Sequence, residues 1–368
     1  MNINILSFFT GGGFMDIGFG QADFSTIWSN EYDPLFADMF EAGINSLNNK
    51  KSDYTPVKIS DRRSIELITC SEITSSAFDN IDPKVFGIIG GPPCQDFSIS
   101  GKIQGFNGSR GRLTKIYLEK IYDLEPTFFV MENVAGLWRI KKNKEKLLDI
   151  LKQVEQKYYV TKKILNALEY GVPQDRERLF VIGFLKSKIK KTGFNISHDF
   201  NWPNPIYKDA TTKYSWPERS TYQGKPRKPN HVPKELCVQS CLVSEKNKSI
   251  ANADEVFKAY SEKFNSIEEG DTRTQSFKRL HRYKYSPTAC YGNNEVHLHP
   301  YLPRRLSVRE TLRIQGVPDS YKLPRLIGQH SKSRGLTAKY KMIGNGVPVP
   351  LAKQVALSVR QCLEENVL

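Results

Sequence analysis

Residues 85–98 read Val85-Phe86-Gly87-Ile88-Ile89-Gly90-Gly91-Pro92-Pro93-Cys94-Gln95-Asp96-Phe97-Ser98. The first five form an apolar run of strand length, predicted to be buried. The glycines and prolines that follow stop the strand and stiffen the turn after it. Such a turn lifts a thiol out of a sheet and fixes its direction, which makes Cys94 a candidate thiolate nucleophile. The competing reading, a small buried core cysteine, fits poorly with Pro-Pro before it and Gln-x-Phe-Ser after it.

Outward from this turn the first 185 residues alternate apolar runs with helical patterns. Ile3–Phe9, Thr26–Ser29, Val57–Ile59, Val85–Ile89, Thr127–Met131 and Leu179–Phe184 read as strands. Pro34–Ala42, Leu113–Leu124 and Lys144–Lys157 read as helices, with Asp33 as a cap and Pro34 at the first helical position. This alternation predicts an α/β fold, a doubly wound and largely parallel sheet with ligands at the carboxyl ends of the strands. From Lys186 the pattern gives way to irregular segments rich in lysine, proline and aromatics. Order returns at Val308–Gly316 and in an amphipathic helix over Pro350–Leu363.

The chain has 368 residues and a net charge of +15. Residues 186–299 hold 20 Lys/Arg against 12 Asp/Glu, and 300–342 hold 10 against 2, so each stretch carries +8. The rest, 24 against 25, is close to neutral. A near-neutral module of 1–185 plus 343–368 joined to a basic one of 186–342 predicts a polyanionic partner, nucleic acid first. No run of 18 apolar residues predicts a membrane span, and Met1–Phe9 reads as a strand, not a signal peptide. The six cysteines are scattered. Only Cys237 and Cys241 are closely spaced and no second pair completes a zinc site, so the expectation is a reducing cytosol and no metal.

Phe8-Phe9-Thr10-Gly11-Gly12-Gly13-Phe14 follows the first strand, and its glycines allow a ligand to approach backbone amides. Glu31 ends the second strand and can accept from a ribose diol. Asp61, placed past the third strand, can accept from an exocyclic amine. In fixed order the chain shows Phe9-x-Gly11-x-Gly13, Glu31, Asp61, Pro92-Pro93-Cys94-Gln95, Glu132-Asn133-Val134, Gln174-Asp175-Arg176-Glu177-Arg178, Arg304-Arg305-Leu306-Ser307-Val308-Arg309-Glu310 and Gly344-Asn345-Gly346-Val347. This set resembles the DNA (cytosine-5) methyltransferases of bacterial restriction–modification systems. The resemblance covers nearly the whole chain except about 186–285.

The resemblance implies a Rossmann-like S-adenosylmethionine-dependent methyltransferase domain with a smaller, irregular target-recognition domain. It implies transfer of a methyl group from S-adenosyl-L-methionine to C5 of a flipped-out cytosine in a specific duplex sequence. Cys94 becomes the nucleophile that adds to C6. Glu132 contacts N3 and the 4-amino group, Arg178 holds O2, and Arg176 supports the neighbouring loop and the thiolate. An Arg–Glu surface ladder through Glu177 is the plainer alternative. For the cofactor, Phe9 stacks on adenine, Gly11 and Gly13 approach the methionine part, and Glu31 takes the ribose. Asp61 takes the adenine amine, with Thr10, Arg62, Pro93, Leu113 and Asn345 supplying further contacts. The family usually has Asp where Ser7 stands and glycine where Phe14 stands. Within the loop Gln95–Arg112, the residues Gln95, Ser98, Ser100, Lys102 and Arg110 are implied to meet DNA. The implied partner is double-stranded DNA. The implied setting is a cytoplasmic monomer with a cognate endonuclease encoded nearby and no stable complex with it. Two alternatives stand beside this reading: a tRNA methyltransferase of the same family, and a DNA-binding protein whose catalysis has decayed.

Overall fold

The computed structural model describes residues 2–48, 59–79, 83–93, 111–244, 249–274, 276–288, 296–325 and 332–368. Seven strands form the central sheet: β1 (Ile3–Phe8), β2 (Phe24–Asn30), β3 (Ile59–Asp61), β4 (Phe86–Gly90), β5 (Phe128–Val134), β6 (Tyr158–Asn166) and β7 (Glu177–Leu185). Their order is β3-β2-β1-β4-β5-β7-β6. The first five run parallel, whereas β7 is antiparallel to both β5 and β6. The expected largely parallel α/β sheet is therefore present, with one inverted strand near its edge.

Alternation along the strands sends side chains to two cores. Ile3, Ile5, Phe128 and Val130 face one side. There they meet Met15 and Phe19 of α1 (Phe14–Gly20) and, from the chain's last helix, Val355 and Val359. Leu6, Phe8, Phe129 and Met131 face the other side. There they meet helices α3 (Cys70–Phe78), α4 (Gly111–Leu124) and α5 (Lys141–Lys157). Strands covered on both faces carry near-continuous apolar runs, which is why they were legible as strands.

A third core joins α1 and α2 (Pro34–Asn48) to α6 (Val308–Ile314), the following segment with Val317, Tyr321 and Leu323, and α7 (Lys332–Asn345). The last helix, α8 (Val349–Asn366), lies so close to α1 that a Cβ on Gly18 would come within 2.5 Å of Ala352. Between 186 and 307 the chain is irregular apart from single-turn helices and the parallel pair β8 (Phe277–Arg279) and β9 (Val296–Leu298).

That region is braced by buried cations more than by apolar mass. The Arg279 guanidinium donates to the carbonyls of Phe264, Ile267 and His299 at 2.5–2.7 Å and lies 4.1 Å from the Tyr222 ring centre. Arg282 pairs with the buried Glu269 at 2.6 Å.

Several expectations shift. The third strand spans Ile59–Asp61, so Asp61 ends the strand instead of lying past it. Residues 57 and 58 lie outside the described residues. Strand β6 and helices α3 and α7 were not predicted. β6 sits at the sheet edge with most of its side chains half-buried, so it lacks the apolar run that marks its neighbours.

Candidate active site

The strand order reverses between β1 and β4, and a parallel sheet binds ligands in the crevice beyond the carboxyl ends at such a point. The glycine turn after β1 and the Gly91-Pro92-Pro93 segment after β4 flank that crevice.

The first turn is shaped by its backbone. Phe9, Gly11 and Gly13 all have positive φ, at 56°, 55° and 69°. Thr10 N–H donates to Asn30 O at 3.1 Å and Gly13 N–H to Thr10 O at 2.8 Å. A Cβ on Gly13 would strike Phe40 at 2.6 Å, whereas one on Gly11 would meet no described atom within 4 Å. Gly11 thus presents bare backbone to open space. The buried Thr10 hydroxyl has no hydrogen-bond partner among the described residues, so a polar donor or acceptor remains for a ligand. Phe9, half-buried, lies 6.3 Å from the Tyr117 ring and in the same apolar cluster as Leu113.

Glu31 ties this turn to α2. One carboxylate oxygen accepts from Gly11 N–H at 2.8 Å and the other from Asp33 N–H at 2.9 Å. Burial raises its carboxyl above the usual range against the pull of those two amides. Asp61 is held by Arg63, whose Nη2 lies 2.8 Å from Oδ2, a partner not foreseen from sequence. Burial alone would raise the Asp61 carboxyl, but the Arg63 hydrogen bonds leave it lowered. The Arg62 guanidinium pairs with Asp38 and Glu41 of α2, at 2.8 and 2.9 Å. Asn345, the last residue of α7, is exposed.

The two departures at Ser7 and Phe14 have physical accounts. Ser7 is buried, and its hydroxyl and that of Thr26 face the fully buried Asp16, a carboxylate brought in from α1. Phe14 fills the space between two bare glycines, since a Cβ on Gly12 would lie 3.0 Å and one on Gly346 only 2.4 Å from its ring.

On the other flank, Asn133 Nδ2 donates to Pro92 O at 3.2 Å, fixing the Pro-Pro turn to the end of β5. A Cβ on Gly91 would lie 3.0 Å from Glu132 Oε2, so any larger residue there would crowd this carboxylate. Glu132 is buried and its Oε1 lies 2.8 Å from Arg178 Nε. Burial raises the Glu132 carboxyl, opposed by the charges of Arg178 and Arg176.

Arg176 is fully buried and donates to Gly344 O at 2.6 Å and Gly346 O at 3.1 Å, the turn that carries Asn345. The Glu177 carboxylate pairs outward with Arg139 at 2.6 Å, while its backbone carbonyl accepts from Arg178 Nη1 at 2.7 Å. Cys94, Gln95, Ser98, Ser100, Lys102 and Arg110 lie outside the described residues; Pro93 is the last described residue before them. Gln174, which opens the Gln-x-Arg-x-Arg motif, and Gln315, which no motif reading singles out, are both buried.

This arrangement places a carboxylate–guanidinium pair beside the Gly91-Pro92-Pro93 turn, with the glycine turn after β1 at the next strand end. The family described as C-5 cytosine-specific DNA methylase matches residues 3–361. The chain belongs to that family. The methylase is 38% identical to Type II methyltransferase M.NmeDI of Neisseria meningitidis serogroup C, over 98% of this chain and 84% of the relative. It is 32% identical to Type II methyltransferase M.FnuDI of Fusobacterium nucleatum, over 99% and 96%. Among solved structures it resembles an E. coli prophage-encoded chain described as a DNA modification methyltransferase, with TM-score 0.63, 23% identity and coverage of 99% and 100%. It also resembles the S. pombe Dnmt2 methyltransferase, with TM-score 0.61, 15% identity and 99% coverage of each. At these identities the two structures bear on the methylase's fold alone. No helix among its described residues is long and apolar enough to cross a membrane, and no described His/Cys/Asp/Glu group is arranged to hold a metal.

Proposed function

We propose that the methylase transfers the methyl group of S-adenosyl-L-methionine to C5 of a flipped-out cytosine in a specific duplex DNA sequence. The observation that carries this reading is the buried Glu132–Arg178 pair standing beside the Gly91-Pro92-Pro93 turn that leads into Cys94.

Cytosine C5 is a poor nucleophile. The Cys94 thiolate adds to C6, and the electron pair displaced from the 5,6 double bond makes C5 nucleophilic. Glu132, its carboxyl raised by burial, faces N3 and accepts from the 4-amino group, and can share a proton with N3 as charge develops on the ring. Arg178 donates to O2. S-adenosyl-L-methionine, when bound, supplies the electrophilic methyl group. Loss of the C5 proton then restores the double bond, the C6–S bond breaks, and Cys94 leaves as thiolate.

The residues present fit that cofactor. Bare Gly11 backbone, the unpartnered Thr10 hydroxyl and exposed Asn345 would meet the methionine part. Glu31 would take the ribose with the lone pairs its two amide donors leave free, and Phe9 and Leu113 offer an apolar wall to the adenine. Asp61, oriented by Arg63, would accept from the adenine amine.

Residues 1–185 with 343–368 form the catalytic unit in this reading, and 186–342, with its excess of +16, the recognition unit that meets DNA phosphates and base edges. The relatives' designation as Type II methyltransferases supports a role in protecting host DNA from a cognate endonuclease, and the reading takes the enzyme as a monomer acting in the cytoplasm. The test is incubation with labelled S-adenosyl-L-methionine, then bisulfite sequencing of plasmid DNA. C5 methylation at one recurrent sequence, lost in Cys94→Ala, is expected. Methylation of tRNA and of no duplex, or full activity in Cys94→Ala, overturns it.

A further inference from the structure

Helix α7 ends at Asn345, and its last carbonyls have no donors within the helix. Two buried side chains from elsewhere supply them. Gln315, just after α6, donates from Nε2 to Ile343 O at 2.6 Å and Gly346 O at 3.4 Å. Arg176, entering β7, donates to Gly344 O at 2.6 Å and to the same Gly346 O at 3.1 Å. Gln174 closes the circuit: its Nε2 donates to Gln315 Oε1 at 3.2 Å and its Oε1 accepts from Arg176 Nη1 at 3.3 Å. Gln174, Arg176 and Gln315 are all fully buried. A closed ring of hydrogen bonds without solvent is rigid, because losing any member strands a polar group in a low-dielectric interior.

We propose that Gln315 is a positioning residue of methyl transfer: through Gln174 and Arg176 it fixes the Asn345 turn, and so the cofactor, at one distance from the strand that carries Arg178. The inference rests on the function proposed above. Arg178 on the cytosine side follows Arg176 by two residues, while Asn345 on the cofactor side lies between the two glycines whose carbonyls Arg176 holds. Gln315 touches neither ligand, and its effect is confined to where the cofactor half sits.

The test uses the full chain with Gln315→Met, which keeps volume and removes every side-chain hydrogen bond. KM for S-adenosyl-L-methionine is expected to rise about tenfold, which corresponds to about 1.4 kcal/mol of lost positioning. KM for DNA is expected to stay within about twofold. Exchange of tritium from cytosine C5 into water without cofactor needs Cys94 addition at C6, protonation of C5 by solvent, loss of the tritium to water and elimination of Cys94, and it is expected to persist. Gln315→Glu, which keeps the acceptor for Gln174 but turns an oxygen toward the carbonyls, gives a second reading if the methionine variant does not fold. An unchanged cofactor KM overturns the proposal, and so does exchange falling in step with methyl transfer. Wild-type protein showing neither transfer nor exchange removes the underlying function instead.

Discussion

Arg178 Nε lies 2.8 Å from Glu132 Oε1, yet the two residues are not cross-strand partners: the β5–β7 register sets Glu132 opposite Phe180 and Val134 opposite Arg178. The ion pair runs diagonally across two antiparallel strands on one sheet face. A diagonal reach leaves the remaining carboxylate oxygen, Oε2, close to Gly91 at the start of the Pro-Pro turn. The inverted strand thus brings an arginine to the end of β5, where a parallel strand would bring the opposite end of its run.

Glu132→Gln removes the counter-charge of Arg178 and the acidic group that faces N3 in the proposed reaction. The expected result is a fall in kcat of at least about a hundredfold and a stability loss of about 1–3 kcal/mol. Single-turnover kinetics and urea unfolding measure the two separately. Unaltered kcat would remove Glu132 from the chemistry.

Glu31→Gln replaces one acceptor by an amide group facing a backbone N–H, either that of Gly11 or that of Asp33. Cofactor affinity is expected to weaken about tenfold or more, with DNA affinity in its absence unchanged. Titration calorimetry with S-adenosyl-L-homocysteine reads this directly, and equal affinity would mean that the glycine turn is held by other contacts.

Most of the sheet was legible from sequence because strands buried on both faces carry unbroken apolar runs, as in Val85–Ile89 and, in the inverted strand, Leu179–Phe184. Strand β6 escaped because its Thr161-Lys162-Lys163 segment is half in water. The site's backbone was legible wherever chemistry demanded a residue type: glycine where φ is positive, proline at a stiff turn, acids at strand ends. What sequence could not give was partnership. That Arg63 holds Asp61, that Glu177 turns to Arg139, and that Gln315 reaches Gln174 across 141 positions are facts of packing, with no local pattern to announce them.

Gly346→Ala places a methyl group 2.4 Å from Phe14 Cδ2 and 2.9 Å from Cε2. Overpacking of this kind is expected to destabilise by about 1–3 kcal/mol. Phe14→Leu should recover part of that loss, giving a clear interaction energy in a double-mutant cycle. Strict additivity in urea unfolding would show that the two positions do not meet.

Burial pushes the Asp16 carboxyl up to about 6, with the hydroxyls of Ser7 and Thr26 offsetting part of the effect. A folded-state value above the unfolded one means that the native state holds the proton longer. The stability this lends is complete below about pH 4 and is lost as pH rises through about 6. Asp16→Asn should abolish that decline. The difference between variant and wild type in urea unfolding is expected to grow by on the order of 2 kcal/mol between pH 4 and pH 7. A flat difference over that range would refute the assignment.

Phe14 wedges between Gly12 near the start of the chain and Gly346 near its end, and Tyr321 donates its hydroxyl to Gly12 O at 2.8 Å. A chain leaving the ribosome therefore has its glycine turn early but lacks the surfaces that seat it until residues past 346 have emerged. Fragments cut short by a premature stop would lack Asn345 and the partners of Phe14. Methylating capacity would appear only once residues past 346 have emerged.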